Sequence, residues 1–254
     1  GIKGYYDSVR PVSAVRFMGD RGQCSDPQGP RYDPAGMPIV PGFIEQVLPG
    51  DPLEGPGQED LYKIKLYTYR GPSYVTNPSS DVAGVGWILA EDWWPYQRPT
   101  FVTPPFAGFI SGHSTYSRTA AEVLTAITGS PYFPGGMIEY VIPQNEFLVF
   151  EDGPDEEVKL QWATYRDASD ACSLSRIWGG IHPAMDDIPG RTIGMQLGPQ
   201  VVVLANQYFT EGPPRVVQTT INHDILGPAQ AGLPFTMVFQ FDRSMDPASS
   251  LVIS

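Results

Sequence analysis

The chain has 254 residues and a formal net charge of −12, from 16 lysines and arginines against 28 aspartates and glutamates. This acidic balance argues against a nucleic-acid partner and against an anionic membrane surface, since both require clustered positive charge. No apolar stretch reaches the length of a spanning helix, which predicts a soluble protein without a membrane partner. The two cysteines, Cys24 and Cys172, are too few for a disulfide framework or a zinc site, and they form either one disulfide or two free thiols.

The first half of the chain predicts loops and one strand. Residues 19–61 are dense in Gly, Pro, Asp and Gln, which is typical of ordered turns. The segment LYKIKLYTYRG alternates apolar and polar residues and favours a strand. Residues 87–110 are rich in Trp, Pro and Phe, and we expect this irregular segment to cover another part of the molecule.

Three later stretches predict helices. The first, HSTYSRTAAEVLTAITG, has helical spacing and ends at Gly129, a suitable C-cap. The second is EEVKLQWATYRDASDACSLSR, with an expected buried face made of Leu160, Ala163, Ala168 and Ala171. The third, GRTIGMQLGPQVVVLANQYF, is mostly apolar and predicts an interior helix that Pro199 should kink. Residues from about 212 onward alternate as strands do.

The stretch SRIWGGIHPAMDD places an arginine, a histidine and two aspartates around two glycines. Pro183 favours the first turn of a helix and makes His182 its cap residue. Asp186 then lies on the same face and can accept the proton of one imidazole nitrogen, which leaves the other nitrogen for a ligand. The two glycines should end any earlier helix, so that Arg176 can turn back to the site. The alternative is an ordinary helix cap beside a surface arginine.

Two further motifs supply groups that suit an anion. In FAGFISGHSTYSRTAAEV, Ser111 and Gly112 precede a helix whose first amides can bind an oxyanion, with His113 as a titratable neighbour. The alternative is that Ser111 only caps this helix. In IKGYYDSVRP, Lys3 and Arg10 are seven residues apart and would share one helix face, where an anion would relieve their repulsion. The alternative is a solvated basic face.

Together the motifs resemble the signature of the vanadium-dependent haloperoxidases and the related type 2 phosphatidic acid phosphatase superfamily, which includes bacterial acid phosphatases. They occur in the order Lys3-x6-Arg10-Pro11, Ser111-Gly112-His113 and Ser175-Arg176-x5-His182. RPVSAVRF and PPFAGFISGH are more similar to the haloperoxidase branch. Two features depart from the pattern: Ile110 replaces a usual proline, and a gap of roughly a hundred residues implies a lid-like insertion at about 19–86.

The resemblance implies a mainly α fold, a helical bundle of the haloperoxidase and acid phosphatase type. The bundle would occupy residues 1–210. The later stretch FQFDRSMDPASS resembles the opening of a bacterial immunoglobulin-like domain, so the β-rich segment 211–254 would begin such a domain. We expect the chain to be a fragment of a larger protein, with a missing N-terminal segment or chain completing the bundle. A secreted or periplasmic location is expected.

The resemblance also implies vanadate as the cofactor, with His182 as the metal ligand and Asp186 orienting its ring. The groups that would hold the vanadate oxygens are Lys3, Arg10, Arg176, Ser111 and the Gly112 amide. His113 would be the acid/base residue, and Phe106 would line the halide side.

The implied reaction oxidises a halide with hydrogen peroxide to a hypohalous acid equivalent, with an organic acceptor as a further partner. The same residues could instead form an acid phosphatase that acts on phosphomonoesters through a phosphohistidine at His182. A third alternative is a non-catalytic, β-rich module. The aromatic segment 87–110, Phe106 and the lack of a membrane segment favour the haloperoxidase.

Overall fold

The computed structural model describes residues 1–98 and 100–211, together with the backbone of two strands at 216–222 and 236–241. The chain forms two compact units, Gly1–Pro199 and Gln200–Ser254. The division predicted between residues 210 and 211 lies at the end of the last described helix, Ala184–Glu211, and stays a prediction. Within the described residues, no helix is both long and apolar enough to cross a membrane.

Two short helices, α1 (Ile2–Tyr6) and α2 (Pro11–Arg21), begin the first unit. Helix α1 ends at Asp7, which has a left-handed φ of 41°. Arg10 is extended, because the residue before a proline is disfavoured in the helical region, and Pro11 then begins α2. The expectation that Lys3 and Arg10 share one helix face is therefore wrong, since a break in the helix separates them.

The predicted insertion contains a small sheet with its own core. Strands β1 (Ile44–Gln46), β2 (Ile64–Tyr69) and β3 (Val85–Leu89) pair antiparallel in that order, and β2 confirms the strand predicted in LYKIKLYTYRG. The alternation of β2 turns Ile64 and Leu66 inward, where they pack with Cys24, Met37 and Ala90. Both cysteines of the chain are free thiols.

Helix α3 (Gly112–Thr128) confirms the first predicted helix. It begins after Ser111, whose side chain accepts the Ser114 amide proton, and ends at Gly129, which has a φ of 71°. A left-handed C-cap of this kind favours glycine, because glycine has no Cβ to clash with the preceding carbonyl.

The second predicted helix is wrong in its first half. Residues Val158–Trp162 form strand β5, which pairs antiparallel with β4 (Ile138–Ile142). Helix α4 (Tyr165–Trp178) begins only after a capping box between Thr164 and Asp167. Its buried residues are Tyr165, Ser169, Ser173 and Arg176 instead of the predicted apolar set. The helix ends just before the two glycines, as predicted.

Helix α5 (Ala184–Glu211) contains Pro189 and Pro199 and packs closely against α3 through three glycines four residues apart. A Cβ atom at Gly194 would lie 2.6 Å from the Thr115 carbonyl oxygen, and one at Gly198 would lie 2.3 Å from Glu122 Cβ. Met195 and Leu197, on other faces of the helix, are exposed. Helix α5 is therefore not the fully interior helix that its composition predicts.

The second unit contains strands β6 (Val216–Asn222) and β7 (Thr236–Phe241), which pair antiparallel. They confirm the expected β structure in this part of the chain. Most of the segment that suggested an immunoglobulin-like domain, FQFDRSMDPASS, lies outside the described residues.

Candidate functional site

The predicted site residues lie near the starts of α3 and α5, where the N-terminal segment contacts the residues that precede each helix. The Ser111 amide donates to the Asp186 carbonyl oxygen at 3.0 Å, which joins the starts of the two helices. Lys3 Nζ donates to the carbonyl oxygens of Ala107 and Gly108 at 3.0 and 2.7 Å. Three segments far apart in sequence are thus held around one point.

His182 lies at the centre of the site and is nearly fully buried. Its Nδ1 atom is 2.7 Å from Asp186 Oδ2, and its Nε2 atom is 2.8 Å from Arg10 Nη1. Because a guanidinium group can only donate, Nε2 must present its lone pair, and Nδ1 must carry the proton donated to Asp186. The arrangement gives a neutral imidazole whose Nε2 lone pair is directed towards a cationic group.

Burial is the main reason why the His182 ring stays neutral. Burial lowers the pKa of His182 most, and the positive charges of Arg10 and Lys3 lower it further. The hydrogen bond to Asp186 raises this pKa and opposes those effects. The ring is therefore neutral at pH 7, and its Nε2 atom accepts from Arg10.

Arg10 and Arg176 bring two buried guanidinium groups into the same region. Arg10 Nε donates to the Phe106 carbonyl oxygen at 2.8 Å. Burial lowers the pKa of both arginines, and Arg176 lowers that of Arg10 further. The Nε atom of Arg176 is buried and has no hydrogen-bond partner among the described residues. Its guanidinium carbon lies 5.1 Å from the centre of the Phe101 ring.

Lys3 adds a third positive charge. Burial lowers its pKa most and Arg10 lowers it further, while Asp186 raises it. Two buried cations and one half-buried cation around one carboxylate are unfavourable unless an anion compensates them. The described residues contain no cluster of His, Cys, Asp or Glu that could hold a metal cation. The three positive charges therefore favour an anionic ligand.

His113 lies in the first turn of α3, between two aromatic rings. Its ring centre is 6.3 Å from that of Phe101 and 5.1 Å from that of Tyr116. Burial is the main cause that lowers the pKa of His113 to about 4, and the positive charge of Arg176 lowers it further. His113 is thus close to the site without contacting Asp186.

Phe106 lies at the edge of the site, with its ring exposed. The ring centre is 5.4 Å from Lys3 Nζ and 5.3 Å from the guanidinium carbon of Arg10. A cavity of about 410 Å³ lies beside it, lined by residues of the segments 7–13 and 103–107. Position 108 requires a glycine, because a Cβ atom there would lie only 2.8 Å from Asp186 Oδ2.

The sequence prediction missed three residues behind the site. Ser114 Oγ contacts both Ser111 and Asp187, and Asp187 is paired with Arg191. The second aspartate of AMDD was the available signal, since it follows Asp186 directly and lies four residues before an arginine on the same helix. Its partner on α3 could not be identified from spacing.

Comparisons with known proteins find a matching family model and several similar solved structures. Residues 63–211 match the family described as the VCPO second helical-bundle domain. The chain is similar to the holo and apo forms of a bacterial vanadium-dependent chloroperoxidase, each with 19% identity, 49% of this chain covered and a TM-score of 0.44. A bacterial vanadium-dependent iodoperoxidase has 26% identity, 45% of this chain covered and a TM-score of 0.33.

The chain spans only 24–26% of the length of these solved proteins. No curated protein matches it.

Proposed function

Because this chain belongs to the family of VCPO second helical-bundle domains, we propose that it carries the active site of a vanadate-dependent haloperoxidase. The proposed reaction consumes hydrogen peroxide, a halide ion and one proton and gives a hypohalous acid and water. The observation that carries the proposal is the His182 ring, whose Nδ1 proton is donated to Asp186 and whose Nε2 lone pair is directed towards Arg10.

The residues present suit vanadate, an oxyanion with several oxygen atoms. His182 Nε2 would be the metal ligand, and Lys3, Arg10 and Arg176 would compensate the charge of the oxygens. The buried Nε atom of Arg176 lacks a partner among the described residues and would gain one. Guanidinium groups match oxyanion geometry through their paired donors. When bound, vanadate would act as a Lewis acid that activates hydrogen peroxide without a change in oxidation state.

The protein residues would divide the remaining tasks. Asp186 holds the His182 ring in one orientation and one tautomer, so that Nε2 stays unprotonated. The three cations lie in place before the reaction and would stabilise negative charge that develops on oxygen. His113 would supply the proton that the overall reaction consumes. Phe106 and the neighbouring cavity would form the side from which the halide approaches.

The test loads the protein with vanadate and supplies hydrogen peroxide with iodide, bromide or chloride. We expect halide oxidation, measured by triiodide formation or by halogenation of a phenol. The same preparation is assayed with an aryl phosphate. If it cleaves the phosphate ester and oxidises no halide, the phosphatase alternative with a phosphohistidine at His182 replaces this proposal.

We predict that vanadate affinity rises as the pH falls from about 7 to about 5. The side chains alone lower the pKa of His113 to about 4, mainly through burial. A bound oxyanion near Arg176 would raise that pKa towards the ordinary value of 6.5. Because the bound anion favours protonation of His113, protonation of His113 must strengthen anion binding by the same factor.

Calorimetric titration with vanadate across this range checks the prediction, and NMR of the imidazole reports the His113 pKa directly. His113→Ala should flatten the pH dependence. A halide oxidation rate that rises steadily towards alkaline pH would contradict the assigned role of His113.

A further inference from the structure

Phe101 lies against two residues of the site. The guanidinium carbon of Arg176 lies over its ring, 5.1 Å from the ring centre. The ring centre of His113 is 6.3 Å away, with the two ring planes at 72°. About half of Phe101 is exposed (52%), whereas Arg176 is nearly fully buried. Phe101 is therefore a surface aromatic residue that contacts a buried cation.

The main chain of Arg176 is fixed relative to His182. The amides of Ile181 and His182 both donate to the Arg176 carbonyl oxygen, at 2.9 and 3.2 Å. This closed turn joins the backbones of the two site residues, but the long arginine side chain keeps its own rotatable bonds. The placement of the guanidinium group therefore depends on what contacts that group.

The two buried arginines of the site are held in different ways. Arg10 directs its Nε and Nη1 atoms to the carbonyl oxygens of Phe106 and Ile181. The Nε atom of Arg176, by contrast, is buried and has no hydrogen-bond partner within the described part of the chain. Its guanidinium group contacts the Phe101 ring instead. An aromatic ring thus lies where Arg10 has oxygen acceptors.

A ring face can hold a cation without the use of an oxygen acceptor. The face of a phenyl ring carries partial negative charge and attracts a guanidinium group within about 6 Å of the ring centre. The ring has no lone pair, so this attraction does not occupy the N–H groups as a carbonyl or carboxylate oxygen would. A guanidinium group held in this way keeps donors for an anionic ligand.

We propose that Phe101 is a positioning residue, which holds the Arg176 guanidinium group in place for the bound oxyanion through the charge of its ring face. A side chain that is ordered before binding loses less conformational entropy when the anion arrives, and this strengthens binding. Phe101 acts through Arg176 in this role. The inference rests on the proposed function, because it requires an oxyanion beside Arg176.

The first test compares three replacements of Phe101, measured as the vanadate dissociation constant by calorimetry. Phe101→Leu should bind vanadate roughly three- to tenfold more weakly, because it removes the ring. Phe101→Tyr should bind within about twofold of the wild type, since its ring face keeps the negative charge. Pentafluorophenylalanine in place of Phe101 keeps the ring but withdraws the charge from its face, and it should weaken binding as Phe101→Leu does.

Phe17→Leu is the matched control. The Phe17 ring centre lies 4.5 Å from the guanidinium carbon of Arg21 on α2, and Phe17 is exposed to a similar degree (56%). This variant loses the same kind of contact at an arginine that is not assigned to the site. It should therefore leave vanadate affinity unchanged.

A double-mutant cycle with Arg176→Gln identifies the residue through which Phe101 acts. Glutamine carries no charge, so Phe101→Leu in this background should change affinity by less than about twofold. Equal effects in both backgrounds, or wild-type affinity with the fluorinated ring, would overturn the inference. A slower halide oxidation without a change in affinity would also overturn it, because Phe101 would then act through His113.

Two results separate this inference from the proposed function. A wild-type protein that binds neither vanadate nor inorganic phosphate overturns both. A protein that binds vanadate and shows the expected order of Phe101 variants, but oxidises no halide, supports the inference and contradicts only the halide chemistry. If Arg176→Gln does not fold or binds too weakly to measure, the comparison of Phe101→Tyr with the fluorinated ring decides.

Discussion

His182→Ala is expected to weaken vanadate binding by more than about a hundredfold and to remove halide oxidation. Alanine removes the Nε2 lone pair, which lies 2.8 Å from Arg10 Nη1 and is the expected ligand atom. It also leaves the Asp186 carboxylate buried without its partner at 2.7 Å. Calorimetry with vanadate and the iodide assay measure the two effects separately.

Controls for this variant separate ligand loss from loss of fold. Met185→Ala changes an exposed side chain beside Asp186 and should leave vanadate affinity unchanged. The vanadate affinity of Asp186→Asn should lie between those of the wild type and His182→Ala. An amide can donate to Nδ1 and so shift the ring towards the tautomer in which Nε2 carries the proton. A folded His182→Ala protein with wild-type vanadate affinity would exclude His182 as the ligand.

The ends of a helix could be predicted because their signals are local, and the family and its helical bundle because three short motifs resemble its signature. Ser111 and Gly129 are residue types that begin and end helices, and both ends of α3 are placed correctly. The family match over residues 63–211 agrees with the resemblance drawn from the motifs. The gathering of the motif residues around His182 could be expected only from that resemblance, since no spacing rule joins positions more than a hundred residues apart.

The errors arise where tertiary packing overrides a local pattern. Lys3 and Arg10 do converge, but through two separate segments, because Pro11 prevents a continuous helix between them. In α4 the buried face holds Tyr165, two serines and Arg176 instead of the predicted alanines. Ser169 on this face contacts Ser117 of α3. Hydrophobic periodicity identifies a buried helix face only where that face is apolar. It cannot identify a buried face made of polar, hydrogen-bonded residues.

The Ser114 contacts illustrate the same limit. Ser114 and Asp187 are 73 residues apart, and their pairing depends on the close approach of α3 and α5. Gly190 permits this approach, because a Cβ atom there would lie 3.0 Å from both the Ser111 carbonyl oxygen and Ser114 Cβ. The sequence shows the glycine and the two polar residues. It does not show that α3 and α5 approach each other closely enough to join them.

His113→Ala should lower the rate of halide oxidation by about a hundredfold or more while changing vanadate affinity at neutral pH by only a few-fold. The small effect on affinity is expected because His113 carries little positive charge at neutral pH. The pKa of His113 is lowered to about 4, so the ring is neutral at pH 7 and contributes little to holding an anion. The neutral ring lies beside Arg176 and His182, where it can take up and deliver the proton that the reaction consumes.

Single-turnover kinetics at saturating vanadate measure the effect on turnover, and calorimetry measures binding in the same preparation. Tyr116→Phe is the matched control, because it keeps the aromatic ring 5.1 Å from the His113 ring and should retain most of the rate. Equal losses of vanadate affinity in His113→Ala and His182→Ala would show that the two histidines share one role. Distinct losses, of binding in one variant and of rate in the other, are what their different surroundings predict: His182 is held between Asp186 and Arg10, whereas His113 packs between two aromatic rings.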